Sequence, residues 1–264
     1  MKKRSILLNG LAILSGIVAV LFIAASPHEE IQIPRESWSF QGFFGKIDHA
    51  QVKRGFQVYK DVCSACHSAK LLSYRNLTGI GFTDDEVKDI AASVQVTDGP
   101  NEAGEMFERP GKPSDAFKSP FANDQAARAA NNGALPPDMS LLARSRAGKG
   151  FGGYEGADYI HAILNGYKDP PAGFKLGEGM NYNEYFPGHQ IAMPQPLTDG
   201  AVTFADGASN TLEDESRDVA AFLTWAGEPN LETRKHTGLK VVLFLVVFTL
   251  LFYAAKRKIW ARIH

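Results

Sequence analysis

Cysteine is scarce in this chain: Cys63 and Cys66 are the only two in 264 residues. No disulfide to a third cysteine competes for either, and a structural zinc site, which takes about four nitrogen or sulfur ligands, lacks a second cysteine pair. Acidic residues are absent from both ends, since none lies in 1–26 or 237–264. Alternation of apolar and polar residues is also missing over any strand-length stretch, which argues against an extended sheet.

The two cysteines stand in the run Cys63-Ser64-Ala65-Cys66-His67, and a C-x-x-C-H run is typical of c-type haem attachment. Residues three apart in a helical segment lie on one face, so both thiols can reach the two vinyl groups of one porphyrin. His67 follows directly and is the predicted proximal iron ligand. A thioredoxin-like C-x-x-C would stand in a βαβ context, which is not visible nearby. We therefore predict one covalently attached haem c.

Both ends of the chain carry membrane signals. Residues 1–26 have a basic start, an uncharged apolar run and small residues near their end, which predicts a signal peptide with an approximate cleavage site. The apolar run is long for a signal peptide, so an uncleaved anchor is the alternative. Residues 237–255 are mostly apolar, carry no charge apart from Lys240 and are predicted to form a transmembrane helix, the alternative being a buried core helix. The basic tail 256–264 is then cytoplasmic by the positive-inside rule.

Residues 27–236 form the predicted exported haem domain, on the periplasmic side of a bacterial cytoplasmic (inner) membrane that the chain crosses once. Three of the 28 Lys and Arg residues precede this stretch and five follow it, so 20 bases face all 29 acids and the net charge is −9. An acidic exterior attracts basic partners and speeds their arrival. The alternative is that the charge only keeps the domain soluble.

Helices are predicted where a capping residue precedes apolar residues at three- and four-residue intervals. The first begins after Asp48 and is closed by Cys63–His67. Loops rich in Gly, Pro and Asn at 97–122 and 167–207 are long for an ordinary domain, and a rigid apolar cofactor explains them because loops can wrap around it. Further predicted helices begin after Thr83 and Asn123 and span 139–147, 157–165 and 212–226.

The second axial ligand of the iron is expected among methionines and histidines far from the C-x-x-C-H run. Met193 is preferred because Pro194 and Pro196 stiffen its loop, which can hold a thioether on the distal side. Met139 is the rival, although it sits at a predicted helix start and any Met can simply fill a core gap. A second His would give a lower potential, whereas His plus Met raises the potential and closes the iron to small ligands, as suits electron transfer. The other candidates are Met106, Met180, His161 and His189.

An ordered series of motifs runs from about Trp38 to the C-terminus. The motifs are Arg54–Lys60, Cys63–His67, Asp98–Glu102, Gly104–Phe107, Arg109–Lys112, Ala126–Asp138, Tyr185–Gly188, the Met193 loop and Trp225–Pro229. Together they resemble the cytochrome c1 family, the haem-c subunit of the cytochrome bc1 complex. The resemblance implies a mostly α fold, with a haem domain like class I cytochrome c, long loops and one C-terminal transmembrane helix.

The resemblance also implies that Met193 is the sixth ligand, opposite His67. Some bacterial relatives carry an extra disulfide near this methionine. This chain lacks those cysteines, so packing and proline alone are expected to hold the Met193 loop.

Three further residues take roles from the resemblance. Arg146 looks like the arginine that pairs a haem propionate, which suits its rigid fork of donors, and Arg144 is the alternative. Tyr159 resembles a tyrosine near the same haem edge, although the Gly-rich stretch 149–156 looks like an insertion and weakens that alignment. Pro137 resembles the segment packed on the haem.

The function implied by the resemblance is electron transfer within ubiquinol–cytochrome c oxidoreductase. The chain would accept an electron from the Rieske iron–sulfur protein and pass it to a soluble or membrane-tethered cytochrome c. It would not be an enzyme by itself; its partners would include cytochrome b, the complex would be dimeric, and no nucleic acid is expected. The alternatives are a free-standing anchored cytochrome serving another oxidase or reductase, and a haem sensor or enzyme with an open iron.

Overall fold

The computed structural model describes residues 31–148 and 155–262, so the predicted signal peptide lies outside the described residues. The chain divides into a unit of residues 1–32 and a unit of residues 33–264. Ile31 and Gln32 are the described part of the first unit and form no helix or strand. The second unit is mostly helical, which confirms the predicted fold class.

The described α-helices follow one another with long connections between them. They are α1 His49–Asp61, α2 Asp84–Ala92, α3 Asp124–Ala130, α4 Leu142–Ser145, α5 Gly156–Asn165, α6 Leu212–Gly227 and α7 Leu231–Trp260. Short 3-10 helices lie at Cys63–Ala65, Tyr74–Ile80 and Pro187–His189. Two small antiparallel pairs occupy the predicted long loops: β1 Gln95–Asp98 with β2 Phe107–Pro110, and β3 Asn181–Tyr182 with β4 Gln190–Ile191.

Helix starts agree with the capping residues in the sequence. The Asp48 carboxylate accepts the N–H of Gln51 at the start of α1, and the Thr83 hydroxyl accepts that of Glu86 at the start of α2. The predicted helix 139–147 is wrong in extent, because only Leu142–Ser145 is helical. Its expected cap, Asp138, binds backbone and side-chain donors of another segment instead.

The core is centred on the crossing of α1 and α6. A Cβ on Gly55 would lie 1.9 Å from the carbonyl oxygen of Asp218, so the two backbones touch and only glycine fits. Next to this contact Arg54 donates two hydrogen bonds to the buried Asp218 carboxylate, from Nε to Oδ2 at 2.7 Å and from Nη2 to Oδ1 at 3.3 Å. The rings of Phe56 and Phe222 pack alongside at 5.7 Å. This crossing fixes the end of α1, from which the cysteine-containing turn emerges.

The C-terminal helix α7 begins within the domain and continues as an apolar helix whose side chains are exposed. It starts at Leu231, before the predicted boundary at 237, and Leu231 is its one buried residue in the described chain. An 18-residue stretch of α7 has a mean hydropathy of 2.3 and no buried residue. The helix is therefore long and apolar enough to cross a membrane.

Candidate functional site

The cysteines lie in a turn that follows α1 rather than in the helix. Helix α1 ends at Asp61, and Cys63–Ala65 forms a separate 3-10 helix in which the N–H groups of Cys66 and His67 both donate to the Cys63 carbonyl, at 3.1 and 2.9 Å. The prediction that the motif closes the first helix is thus corrected. Residues three apart in a 3-10 helix nearly eclipse one another, so this turn is still compatible with attachment of both thiols to one porphyrin.

Both thiols are free of disulfide bonds, but their surroundings differ. Cys63 is buried and Cys66 is exposed. Burial raises the pKa of the Cys63 thiol to about 12, so this thiol is neutral at physiological pH. A thioether at Cys63 would remove that ionisation altogether, and its apolar surroundings suit a thioether better than a thiolate.

His67 is buried, with 8% of its surface exposed, and its ring is oriented by a single backbone group. Its Nδ1 lies 2.8 Å from the carbonyl oxygen of Pro137. A carbonyl only accepts, so Nδ1 carries the proton and Nε2 presents its lone pair, which is the tautomer that a metal needs. Burial lowers the pKa of His67, which keeps the ring neutral. The sequence identified Pro137 only by resemblance and did not identify its carbonyl as the acceptor.

Two segments hold His67 in place, and we call residues 67–71 with 137–140 the proximal clasp. The Met139 N–H donates to the Ser68 carbonyl at 2.7 Å. The Asp138 carboxylate accepts the Ser68 hydroxyl at 2.8 Å and the Lys70 N–H at 2.9 Å. Burial acts to raise the pKa of Asp138, but these bonds and those from Ser140 outweigh it and lower the pKa below its usual range. Met139 therefore belongs to the segment that is hydrogen-bonded to the residues around His67.

Met193 lies in a second region, residues 167–197, which we call the distal loop. Its side chain is half-buried. Its carbonyl oxygen accepts the Tyr167 hydroxyl at 3.0 Å and the Asn181 side-chain amide at 3.3 Å. The expectation that packing and proline alone hold this loop is therefore wrong. Burial raises the pKa of the Tyr167 phenol, so it remains a hydrogen-bond donor at all physiological pH values.

Asn183 fixes the distal loop to α5, and no pattern in the sequence indicated this. It is fully buried, and its side-chain amide donates to the Ile163 carbonyl at 2.8 Å while its oxygen accepts the Tyr185 N–H at 3.1 Å. The Asn183 N–H donates to the His189 carbonyl at 3.1 Å. A buried amide with these partners sets the course of the loop before Met193.

The two alternative histidine ligands have other partners. The buried His161 ring has Nδ1 2.9 Å from the Ser216 hydroxyl and Nε2 3.2 Å from the Glu213 carboxylate. The His189 ring stacks on Tyr182 with centroids 5.7 Å apart. Both rings are thus engaged in the protein's own packing.

The remaining candidates lie on α4 and α5. Arg146 directly follows α4, and its exposed guanidinium reaches the Ser145 hydroxyl at 3.4 Å. Arg144 Nη1 pairs with the Glu228 carboxylate at 2.6 Å. Tyr159 is half-buried on α5. The structure thus joins Pro137 directly to His67, whereas Met193, Arg146 and Tyr159 lie in other segments.

A family model, that of the Cytochrome C1 family, matches residues 38–263. The chain belongs to the cytochrome c1 family. It is similar to cytochrome c1 of Rhodospirillum rubrum, with 43% identity over 93% of this chain and 94% of that one. It is 46% identical to a mitochondrial cytochrome c1 haem protein of Solanum tuberosum, over 93% of this chain and 75% of the relative. A cytochrome b/c1 protein of Bradyrhizobium diazoefficiens is 46% identical over 88% of this chain, which spans only 36% of that protein.

Membership confirms the predicted family and its general role. Cytochrome c1 proteins carry covalently bound haem c and are the electron-transfer subunit of the bc1 complex, together with cytochrome b and the Rieske protein. Bacterial relatives and the apolar α7 fit a protein anchored in the inner membrane. The described residues fit the cofactor: two unbonded thiols three residues apart precede an imidazole whose Nε2 is available. Among these residues no cluster of three metal-binding side chains offers a zinc site instead.

Proposed function

We propose that this cytochrome c1 accepts one electron from the Rieske protein and passes it to a soluble or membrane-tethered cytochrome c. The observation that carries the proposal is the 2.8 Å bond from His67 Nδ1 to Pro137, which presents Nε2 next to the paired thiols. When bound, haem c supplies a one-electron iron couple. The protein's part is to attach it through Cys63 and Cys66, ligate it through His67 and Met193, and hold these groups still.

Several contacts support Met193 as the sixth ligand. The Met139 N–H donates to the Ser68 carbonyl, next to His67, which favours another methionine as the ligand opposite His67. Met106 and Met180 are exposed, by 60% and 38%. The two hydrogen bonds that hold the distal loop are made to the Met193 carbonyl and do not involve its sulfur. A thioether held in this way favours the ferrous state and keeps small ligands off the iron.

The roles of the other three residues also belong to the proposal. Arg144 is engaged with Glu228, which leaves Arg146 as the α4 arginine for a haem propionate. Tyr159 on α5 would lie at the same edge. Pro137 would pack on the haem while its carbonyl orients His67.

The topology completes the proposal. Residues 1–26 would be a signal peptide, 27–236 the periplasmic haem domain, 237–255 the membrane-crossing part of α7, and 256–264 a cytoplasmic tail. The complex would be a dimer, and the subunit would break no substrate bond by itself. The −9 charge of 27–236 would steer a basic acceptor, whose oxidation of the haem should slow as salt screens charges beyond about 10 Å at 0.1 M. A rate that is flat with salt would contradict this steering.

The donor is tested by rapid mixing of quinol with the oxidised complex. Reduction of haem c should be fast in the intact complex and should fail when the Rieske protein has been removed, because that protein is the proposed donor. Re-addition of the Rieske protein should restore the rate, which controls for damage to the complex. Equal rates with and without the Rieske protein would contradict the proposed donor and favour a free-standing cytochrome.

A further inference from the structure

A tight loop of residues 40–47 lies near the N-terminus of the domain, and we call it the Phe43–Phe44 loop. Its backbone is closely defined: the Lys46 N–H donates to the Ser39 carbonyl at 2.9 Å. A Cβ on Gly45 would lie 2.0 Å from the Gln41 carbonyl oxygen, so the turn closes only with glycine there. The loop therefore presents its tip in one conformation.

The first turns of α7 clamp this loop. Lys235 Nζ donates to the carbonyls of Phe40 at 2.7 Å, Gly42 at 2.6 Å and Gly45 at 3.1 Å. These bonds use all three donors of the ammonium group. The Glu232 carboxylate accepts the Ile47 N–H at 2.9 Å, one turn earlier on the same helix. The loop is thus fixed to α7 at two positions about one helical turn apart.

The tip of the loop exposes two adjacent aromatic rings. Phe43 is 53% exposed and Phe44 is 80% exposed, the highest value for a large apolar side chain among the described residues. Their centroids are 5.1 Å apart and the rings are nearly perpendicular. A paired apolar tip on a rigid loop marks an interaction surface, because a protein gains nothing by holding such groups in water.

The position of the clamp on α7 indicates what covers the rings. Four residues, or about 6 Å along the helix axis, separate Lys235 from Leu239 near the start of the apolar part of α7. From Val241 onward the apolar side chains of α7 are exposed. The loop therefore lies at the level where α7 leaves the domain. The loop carbonyls are already bonded to Lys235, which lowers the cost of moving this backbone out of water. Lys46 and Lys240 lie near the same level and are exposed, and a lysine there can keep its ammonium group in the headgroup region while its stem lies along apolar surface.

We propose that Phe43 and Phe44 insert into the boundary between lipid headgroups and acyl chains, as a second membrane contact beside α7. This inference rests on the proposed anchoring by α7. Aromatic side chains are enriched at that depth of a bilayer. A helix alone lets the domain swivel, whereas a helix and a rigidly clamped loop fix its tilt over the membrane. The contact would thereby orient the haem domain towards its electron donor.

The test measures membrane depth in the assembled complex, held in nanodiscs of phosphatidylcholine and phosphatidylglycerol. A nitroxide is attached to Phe44→Cys, and the signal of the labelled unsubstituted complex is subtracted. Power saturation compares collisions with oxygen, which concentrates among acyl chains, and with a water-soluble nickel chelate. We expect an oxygen-to-nickel ratio several-fold higher at position 44 than at Phe107→Cys, an exposed phenylalanine on the β1–β2 hairpin.

The outcomes separate the loop contact from the anchoring. A label on Val246→Cys, within the apolar part of α7, should also be immersed. A water-like ratio at position 44 alone would overturn the loop contact, and a water-like ratio at both positions would overturn the anchoring with it. A label at position 44 shielded from both reagents would show a protein partner there and overturn the lipid contact. Phe43→Cys repeats the measurement, with the haem absorbance as the check on folding.

Discussion

The proximal clasp and the distal loop hold their proposed iron ligands in opposite ways. His67 follows the cysteines in sequence, and the clasp bonds its neighbours to 137–140 through both backbone and side chains. Met193 lies far from Cys63 and Cys66 in the sequence. Two side chains, 26 and 12 residues away from it, donate hydrogen bonds to its carbonyl. The position of His67 is thus specified by its spacing from the cysteines, whereas that of Met193 is specified by the fold, although the groups that support either ligand are brought there by tertiary contacts. Changes on the two sides should therefore fail differently.

The largest effect is expected on the proximal side, from removing both thiols. Cys63→Ala with Cys66→Ala should abolish covalent haem completely, because no other cysteine exists to form a thioether. The measurement is haem staining of the polypeptide on a denaturing gel, together with acid–acetone extraction. Ser64→Ala, between the two cysteines, should keep the haem attached. Stained haem on the double variant would contradict covalent attachment at these positions.

The next largest effect is expected from Met193→Leu on the distal side. Leucine keeps a similar volume, so the fold and the covalent haem should remain while the sixth ligand is lost. The potential should fall by on the order of 0.1 V, within the roughly 0.8 V that axial ligation spans. The reduced haem should then bind carbon monoxide, and turnover of the complex should collapse.

The control for this variant is Met139→Leu, in the proximal clasp. Met139 is buried in the core, and its N–H supports Ser68. The substitution should cost less than about 1.5 kcal/mol of stability and leave the potential unchanged. Redox titration checks both variants. A lowered redox potential in Met139→Leu together with an unchanged potential in Met193→Leu would reverse the assignment.

The same contrast explains how much the sequence could predict. The C-x-x-C-H spacing, the helix starts at Asp48 and Thr83, and the apolar run of α7 are short-range patterns, and the structure contains the corresponding helices. The exception is Asp138, which looked like a helix cap. Its carboxylate instead accepts hydrogen bonds in the proximal clasp, because the donors of residues 68 and 70 reach it only in the folded chain.

On the distal side the sequence indicated the ligand but not its supports. Prolines beside Met193 suggested a stiff loop, yet stiffness does not say where a loop is attached. Tyr167, Asn181 and Asn183 stand at no regular spacing from Met193, so their hydrogen bonds follow from the packing of the loop on α5. Such contacts cannot be read from periodicity or capping.

A smaller effect is expected from Tyr167→Phe, which tests this distal support. The variant removes the 3.0 Å bond to the Met193 carbonyl while keeping the ring and the bond from Asn181. A single lost hydrogen bond costs about 1 kcal/mol, so Met193 should remain the ligand but dissociate more often. The measurement is the methionine–iron charge-transfer band and the fraction of reduced haem that binds carbon monoxide. The band should weaken and the fraction should rise.

The matched control is Tyr182→Phe in the same loop. The Tyr182 ring packs between Phe174 and His189, with centroids 5.1 and 5.7 Å away, and phenylalanine preserves that packing. The variant should leave the band and the carbon monoxide binding unchanged. Equal changes in both variants would mean that the Tyr167 hydroxyl is not a specific support of Met193.

The smallest effect is expected from two carboxylates, the buried Glu215 and the half-buried Asp138, whose charges affect stability in opposite directions as the pH changes. Glu215 on α6 accepts the Val202 N–H at 2.7 Å, just after the distal loop, and its Oε2 has no hydrogen-bond partner among the described residues. Burial raises the pKa of Glu215, whereas the hydrogen bonds around Asp138 lower the pKa of that carboxyl. The charge on Asp138 is thus stabilised by the fold, and the charge on Glu215 destabilises it.

Glu215→Gln should therefore raise stability at neutral pH, by about 1 kcal/mol or roughly 2–4 °C in the unfolding midpoint. The unfolded glutamate releases its proton near pH 4.5, but the folded one keeps it to higher pH. Between those two values the folded state binds more protons, so the wild-type protein loses stability as the pH rises and the Gln variant does not. The measurement is thermal unfolding of the detergent-solubilised haem protein from pH 4 to pH 7, with the exposed Glu178→Gln as a control that should show no change. The gain in stability of Glu215→Gln should vanish below about pH 4.5, where Glu215 and its Gln replacement are both neutral. A difference in unfolding midpoint that stays constant with pH would show that burial does not destabilise the charged Glu215 carboxylate.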